Sequence, residues 1–303
     1  MNNKFSKIKG LMNVMKRTIK TTIVFLVLFA TILSIVAVSS EAESKGKLYF
    51  ASTDFDSVQP RTGLVIATHG WIEKGQNGWP EEMANAIQEK VDPSDWLCGY
   101  FDWADGARTI NATSAAKYAR DIAGPSLAKQ ILKLDLDLQH IHLIGHSTGC
   151  WAISEAAKIL AKKTKADIHL TFFDAYVSVF WEESSLGCFQ PVSDANCWAE
   201  HYYTRDYTLG WTQYDLTNAH NVDVTAIDQL IKDHNFPWQW YYATITGEYP
   251  TGSFCDDDEI VIIAENIKYG FARSKEAADP NGWSKTLKLP KGNKAVRFKK
   301  AAK

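Results

Sequence analysis

Residues His140 to Ile153, HIHLIGHSTGCWAI, decide how this chain is read. An apolar run ends in Gly145-His146-Ser147-Thr148-Gly149 and passes directly into a helical pattern, so the stretch reads as a strand, a sharp turn and a helix. Ile141, Leu143 and Ile144 suit a strand buried on both faces of a parallel sheet. Ala152, Ala156, Ala157, Ile159 and Leu160 give the following segment an apolar helical face. Ser147 falls at the turn itself. A serine on such a strand-to-helix elbow takes a strained backbone conformation, and the positions two before and two after it must be small for strand and helix to approach. Gly145 and Gly149 meet that need, which makes Ser147 the candidate nucleophile.

The same alternation extends outward in both directions. Before the elbow, KLYFAS from Lys47 reads as an edge strand and GLVIAT (Gly63 to Thr68) as a buried one. Helical spacing follows from Glu81 to Val91, a strand from Asp95 to Asp102, and a helical region from Ala112 to Leu134 that Gly124-Pro125 should break or kink. After the elbow, DIHLTFF (Asp167 to Phe173) is a further strand ending at Asp174. Strand and helix in turn predict an α/β fold, a mostly parallel sheet covered by helices. Later elements are expected to be strands at Glu200–Thr204 and Asn221–Thr225 and helices at Trp238–Thr246 and Glu259–Phe271. A hairpin pairing TLKL with KAVRF is expected around Pro290 to Asn293. With 303 residues, 46% of them hydrophobic, one domain can hold all of this.

The first 42 residues read differently from the rest. Lys4, Lys7, Lys9, Lys16, Arg17 and Lys20 precede an uncharged apolar run, Thr22 to Val38, which ends at SSEA. That is the pattern of an export signal cleaved after Ala42 or Ser39, with an uncleaved membrane anchor as the alternative. The expected organisation is a signal segment at 1–42, a catalytic domain at 43–280 and a basic segment at 281–303, in a secreted or extracytoplasmic protein. Cleavage after Ala42 removes six basic residues and one acid from the chain's 33 and 35, which leaves a net charge of −7 and argues against nucleic-acid binding. Five cysteines are an odd set for an oxidising compartment. Cys188 and Cys197, which bound a long polar connection, are expected to pair.

A serine hydroxyl needs a base to take its proton, and the base needs an acid to fix its tautomer. In this architecture the acid and then the histidine follow the serine along the chain, on loops at the carboxyl ends of later strands. Asp174 ends one such strand, and Asp206 is the alternative acid one strand later. His234 precedes a helix and is the expected base, with His220 as its competitor. His140, His142 and His169 fall within strands and read as structural, and His146 as a support for the elbow. Attack on an ester carbonyl builds an oxyanion that two backbone N–H groups must meet. Thr148 supplies one, and the loop after GLVIAT supplies the other from Trp71, behind His69-Gly70. No metal or cofactor is expected, and the acidic run Cys255 to Glu259, which lacks the spaced ligands and glycine of a calcium loop, reads as a charged helix start.

These residues resemble a known family. HGWIEKGQNGW, CGYFDWADGART, HLIGHSTG, TFFDAYVSVF and then a histidine before a tyrosine pair are similar, in the same order, to the N-terminal domain of the pancreatic lipase family, over roughly residues 63 to 245. The resemblance implies an α/β-hydrolase fold and carboxyl-ester hydrolysis. By match it makes Ser147 the nucleophile, Asp174 the acid and His234 the base, with Trp71 and Thr148 as oxyanion donors. It also departs from the family. Thr148 stands where those lipases usually have leucine, no cysteine-bounded lid precedes His234, and their C-terminal β-sandwich does not follow. Colipase dependence and triglyceride specificity are therefore not carried over.

The expected activity is hydrolysis of lipid or other apolar acyl esters through an acyl-enzyme. The alternatives are a polyester depolymerase with the same machinery and a catalytically silent lipid-binding relative. Beyond Asp279 there is no acid, and Lys285, Lys288, Lys291, Lys294, Arg297, Lys299, Lys300 and Lys303 make this end basic. It either forms a solvated face or adheres to an anionic surface. Asn111-Ala112-Thr113 is a glycosylation sequon.

Overall fold

The structure is a computed structural model. It describes residues 45–51, 61–178, 185–188, 197–205, 211–225 and 234–247, together with the backbone of short strands between 248 and 300. All of them belong to the second of two units into which the chain divides, Lys45–Lys303. The export segment and Asp206 lie outside the described residues, as do the acidic run up to Glu259 and the side chains of the basic end. Among the described residues no helix is long and apolar enough to cross a membrane.

The chain starts with strands β1 (Lys47–Phe50) and β2 (Gly63–Thr68), helix α1 (Trp79–Gln88) and strand β3 (Trp96–Asp102). Helices α2 (Ala104–Ala107) and α3 (Ala112–Tyr118) follow, then a π-turn at Ala119–Ala123 and helix α4 (Gly124–Leu132). Pro125 offers no N–H to the helical ladder, and the chain absorbs the missing bond by widening into π geometry just ahead of it. This is the break expected at Gly124-Pro125. The elbow joins β4 (His140–His146) to helix α5 (Gly149–Leu160), and β5 (Asp167–Phe173), β6 (Cys197–Tyr203), β7 (His220–Asp223) and helix α6 (Phe236–Thr246) complete the body.

Eight strands form one sheet in the order β1-β3-β2-β4-β5-β6-β7-β10, where β10 is Thr286–Lys288. Every neighbouring pair is parallel except β1 with β3. This is the α/β-hydrolase fold expected from the sequence. Leu64 and Ile66 of β2 belong to one core layer, with α3, α4 and α5, while Val65 and Ala67 belong to the other, with α1 and α6. A strand covered on both faces cannot alternate apolar with polar, which is why β2 and the core of β4 read as unbroken apolar runs. Strand order reverses at β2 and β4, and the crevice beyond their carboxyl ends is where ligands bind in open α/β sheets.

Two expectations fail near the end of the chain. TLKL and KAVRF do not pair with each other: Thr286–Lys288 joins the main sheet beside β7, and β11 (Ala295–Arg297) runs antiparallel to β9 (Ile260–Ile262). The edge of β7 presents unpaired backbone groups, and β10 satisfies them. The helix expected from Glu259 starts instead as strand β9, where three consecutive β-branched residues favour the extended chain. Two further short strands, β8 (Glu248–Tyr249) and β12 (Lys299–Lys300), pair in parallel.

Candidate active site

Three non-glycine residues with left-handed backbone sit at the carboxyl edge of the sheet: Ile72 (φ 64°), Ser147 (φ 53°) and Asp174 (φ 40°). Such conformations cost roughly 1–3 kcal/mol each and persist only where the surroundings impose them. At Ser147 they do. Its N–H donates to the Phe173 carbonyl at 2.9 Å, fixing the turn to β5, and helix α5 begins two residues later. Gly149 lies so close to the loop after β2 that a Cβ there would stand 2.2 Å from the His69 carbonyl oxygen. The elbow glycine therefore brings the Ser147 turn against the His-Gly-Trp loop.

Asp174 is fully buried and accepts Nδ1–H of His234 at 2.9 Å through Oδ2. The Thr204 N–H reaches Oδ1 at 2.7 Å, and the Thr204 hydroxyl reaches Oδ2 at 3.3 Å. Burial pushes the Asp174 carboxyl above its ordinary range, while the bonds from His234 and Thr204 pull the other way. Nδ1 of His234 is thereby committed to the carboxylate. Ser147 and His234 line one pocket, which Trp71, Tyr176 and Trp211 wall with aromatic surface. Edge-to-face packing of Tyr176 on Trp211 (5.9 Å, 77°) and a bond from Thr113 Oγ1 to the Tyr176 hydroxyl (2.7 Å) hold that wall. The sequon residue Asn111 caps helix α3 by accepting the Ser114 N–H at 2.8 Å.

The Trp71 and Thr148 backbone N–H groups have no intramolecular acceptor among the described residues. Trp71 is held by its indole N–H, which donates to the Thr109 carbonyl at 3.0 Å. Residues to which the sequence reading gave no role build the loop around it. Trp103 donates its backbone N–H to His69 Nε2 (3.0 Å) and its indole N–H to the His69 carbonyl (3.1 Å). Burial tends to raise the Asp102 carboxyl, but His69 and the Gln76 and Ala104 amides hold it well below the usual carboxylate range. Glu73 accepts the Gly70 N–H at 2.6 Å and faces His146 at 3.1 Å. Burial tends to raise this carboxyl too, yet the attraction and hydrogen bond of His146 and the Gly70 N–H hold it at about 2. The only mark either acid leaves in the sequence is its place, Asp102 as the last residue of β3 and Glu73 five residues after β2, and neither place by itself points to the site.

The rival base does not reach the pocket. His220 is buried in β7, opposite Glu200 of β6, with its ring 5.8 Å from Trp198. It starts the strand, three residues before the carboxyl end. The rival acid Asp206 lies outside the described residues. On the α6 side of the sheet, ligand atoms of His142, His169 and Glu200 lie within 4.8 Å of one another, a residue set that suits a divalent metal. Its polar atoms are instead joined to each other. The Thr171 hydroxyl donates to Glu200 (2.7 Å) and bonds His142 Nε2 (2.7 Å), while His169 Nε2 and the Tyr202 hydroxyl also reach Glu200 (3.1 and 3.0 Å). The two imidazoles stack at 3.9 Å and 4°, which points their nitrogens side by side and not at a common centre. The cluster is a cross-strand polar network that satisfies a buried carboxylate.

Residues 49–196 match the Lipase family model. Pancreatic lipase-related protein 2 of Sus scrofa is 36% identical over 104 residues, covering 33% of this chain and 21% of that protein. Pancreatic triacylglycerol lipase of Mus musculus is 35% identical over 101 residues, covering 32% and 20% respectively. The matched stretch thus spans about a fifth of the curated relatives. Among solved structures, Est1E from Butyrivibrio proteoclasticus is 15% identical, with 43% of this chain and 46% of that one covered at a TM-score of 0.29. The stretch that matches the Lipase family model includes the Trp71 loop, the elbow and Asp174, and it ends before His234.

Proposed function

We propose that this lipase-like chain is an exported serine hydrolase that cleaves apolar carboxylic esters through an acyl-enzyme. The observation that carries the reading is the 2.9 Å bond between His234 Nδ1 and the buried Asp174 carboxylate, with His234 and Ser147 on the wall of one pocket. In this mechanism Ser147 Oγ attacks the ester carbonyl as its proton passes to His234 Nε2. The Trp71 and Thr148 N–H groups receive the oxyanion, and each such donor contributes about 10²–10³ in rate. The tetrahedral intermediate collapses as His234 protonates the leaving alkoxide, and water, deprotonated by the same nitrogen, releases the acid.

The aromatic wall of Trp71, Tyr176 and Trp211 supports an apolar acyl or alkoxy group. The disulfide between Cys188 and Cys197 supports an oxidising compartment, in keeping with export through residues 1–42. Cys98 and Cys150 are free and buried. The test is release of acid from a series of acyl esters of rising chain length by the folded full chain. Hydrolysis that improves as the acyl chain lengthens beyond acetate supports the proposal, and no hydrolysis at any length overturns it.

A further inference from the structure

His146 precedes the nucleophile, is 1% exposed, and meets two groups that can only accept. Its Nδ1 lies 3.1 Å from the Glu73 carboxylate and its Nε2 lies 3.0 Å from the backbone carbonyl of His234. A carbonyl oxygen has no proton to give. Neither has a carboxylate in its ionised form, and Glu73 is held in that form by the Gly70 N–H at 2.6 Å and by His146 itself. Both ring nitrogens of His146 must then donate, and an imidazole with two N–H groups is a cation.

We propose that the half-buried Glu73 and the buried His146 form an ion pair that positions the base, with His146 protonated on both ring nitrogens and clamping the loop of His234 through its carbonyl. The proposal rests on the reading of His234 as the base. Neither residue touches the reacting atoms in this account; both act through others. Glu73 sets the turn before Trp71 through the Gly70 N–H and, through His146, sets the backbone of His234. A single carboxylate thereby ties the oxyanion loop to the base loop on either side of Ser147. Gly70 packs so tightly there that a Cβ would stand 2.9 Å from the Ser147 Cβ. The His146 and His234 rings lie 4.4 Å apart, and Trp79 closes the site with its ring edge-on to His146 at 6.1 Å. The titratable groups that face the pair are His234 and Asp174 towards His146, and His69 towards Glu73.

The clamp implies an alkaline limit to turnover. Once His146 loses one proton it can donate to Glu73 or to the His234 carbonyl, but not to both, and the base loop is released. The anion of Glu73 favours the doubly protonated ring. Glu73→Gln keeps an acceptor for the Gly70 N–H and removes the charge, so the alkaline fall should move to lower pH.

Two measurements on the full chain test this. In the first, the ring-nitrogen NMR signals of His146 at pH 7 should show both nitrogens protonated in the wild type, and one protonated nitrogen overturns the proposal whether or not any variant folds. In the second, Glu73→Gln should lower kcat on a soluble ester by ~10-fold or more with KM little changed, by analogy with the loss when the outer hydrogen-bond partner of a metal-bound histidine is removed. Its alkaline limb should move by about one pH unit towards neutrality. Glu73→Asp, which keeps the charge, should recover part of kcat. A folded Glu73→Gln with wild-type kcat and an unmoved limb contradicts the clamp. Ester hydrolysis that survives Ser147→Ala would instead sink the functional reading and leave the NMR result standing, so the two failures are distinguishable.

Discussion

Asp174 Oδ2 accepts the Nδ1–H of His234 at 2.9 Å across a separation of 60 residues. The acid reaches this position because β5 ends at Phe173 and the chain turns through a left-handed Asp174, whose own N–H donates to the Tyr202 carbonyl at 2.9 Å. The histidine reaches it just ahead of helix α6, whose Trp240 and Tyr241 pack on Phe173 and Tyr202 under the site. The partners are thus held by the core and not by their mutual attraction alone.

Replacing Asp174 by Asn keeps the shape and removes the charge that fixes the His234 tautomer. Turnover on a soluble ester should fall by about three to four powers of ten, while Asp206→Asn should leave it unchanged. Steady-state rates of the two variants decide between the acids. A loss confined to Asp206→Asn moves the acid one strand later and leaves the reaction class standing.

The elbow, the alternation of strands and helices around it and the place of Asp174 could be read from the sequence because each leaves a local mark: small residues flanking Ser147, unbroken apolar runs in β2 and β4, an acid just after β5. His234 was legible only by its place before a helix, and its ranking above His220 came from that context. Glu73, Asp102 and Trp103 were not legible as site residues. Glu73 meets His146, and Asp102 and Trp103 meet His69, across different strand ends, and no spacing along the chain encodes a contact between segments brought together by the sheet. The last strands were misread for a related reason. TLKL has the pattern of a strand, but which edge it joins depends on β7 being left open, and that is a property of the whole sheet.

Gly149→Ala places a Cβ 2.2 Å from the His69 carbonyl oxygen, a backbone atom that cannot swing aside. The elbow or the His69 loop must shift, at a cost of about 1–3 kcal/mol or more. The urea midpoint should fall, and turnover with it, since the same contact sets the Trp71 loop. A variant with the wild-type midpoint would refute this account of the packing.

The Glu73–His146 pair makes stability depend on pH in a definite direction. Glu73 is lowered from 4.5 to about 2, so its contribution is present above 4.5 and is lost as the pH falls towards 2. The attraction of Glu73, its hydrogen bond and the His234 carbonyl raise His146 above 6.5 against the opposing effect of burial. Its contribution is full below 6.5 and is lost as the pH rises through the raised value. The stability gap between wild type and Glu73→Gln should therefore be widest between pH 4.5 and 6.5 and should narrow on both sides. Denaturant titrations across the pH range check this, and a gap that does not vary with pH contradicts it.

The central claim is that Ser147 is a nucleophile activated by His234. The most direct measurement is labelling of the folded full chain with an active-serine phosphonate, read by intact mass and peptide mapping, beside ester hydrolysis by the wild type and Ser147→Ala. The account predicts one adduct, carried on Ser147, no adduct in the variant, and hydrolysis reduced to background. An adduct at another residue, or hydrolysis that persists in Ser147→Ala, would contradict it.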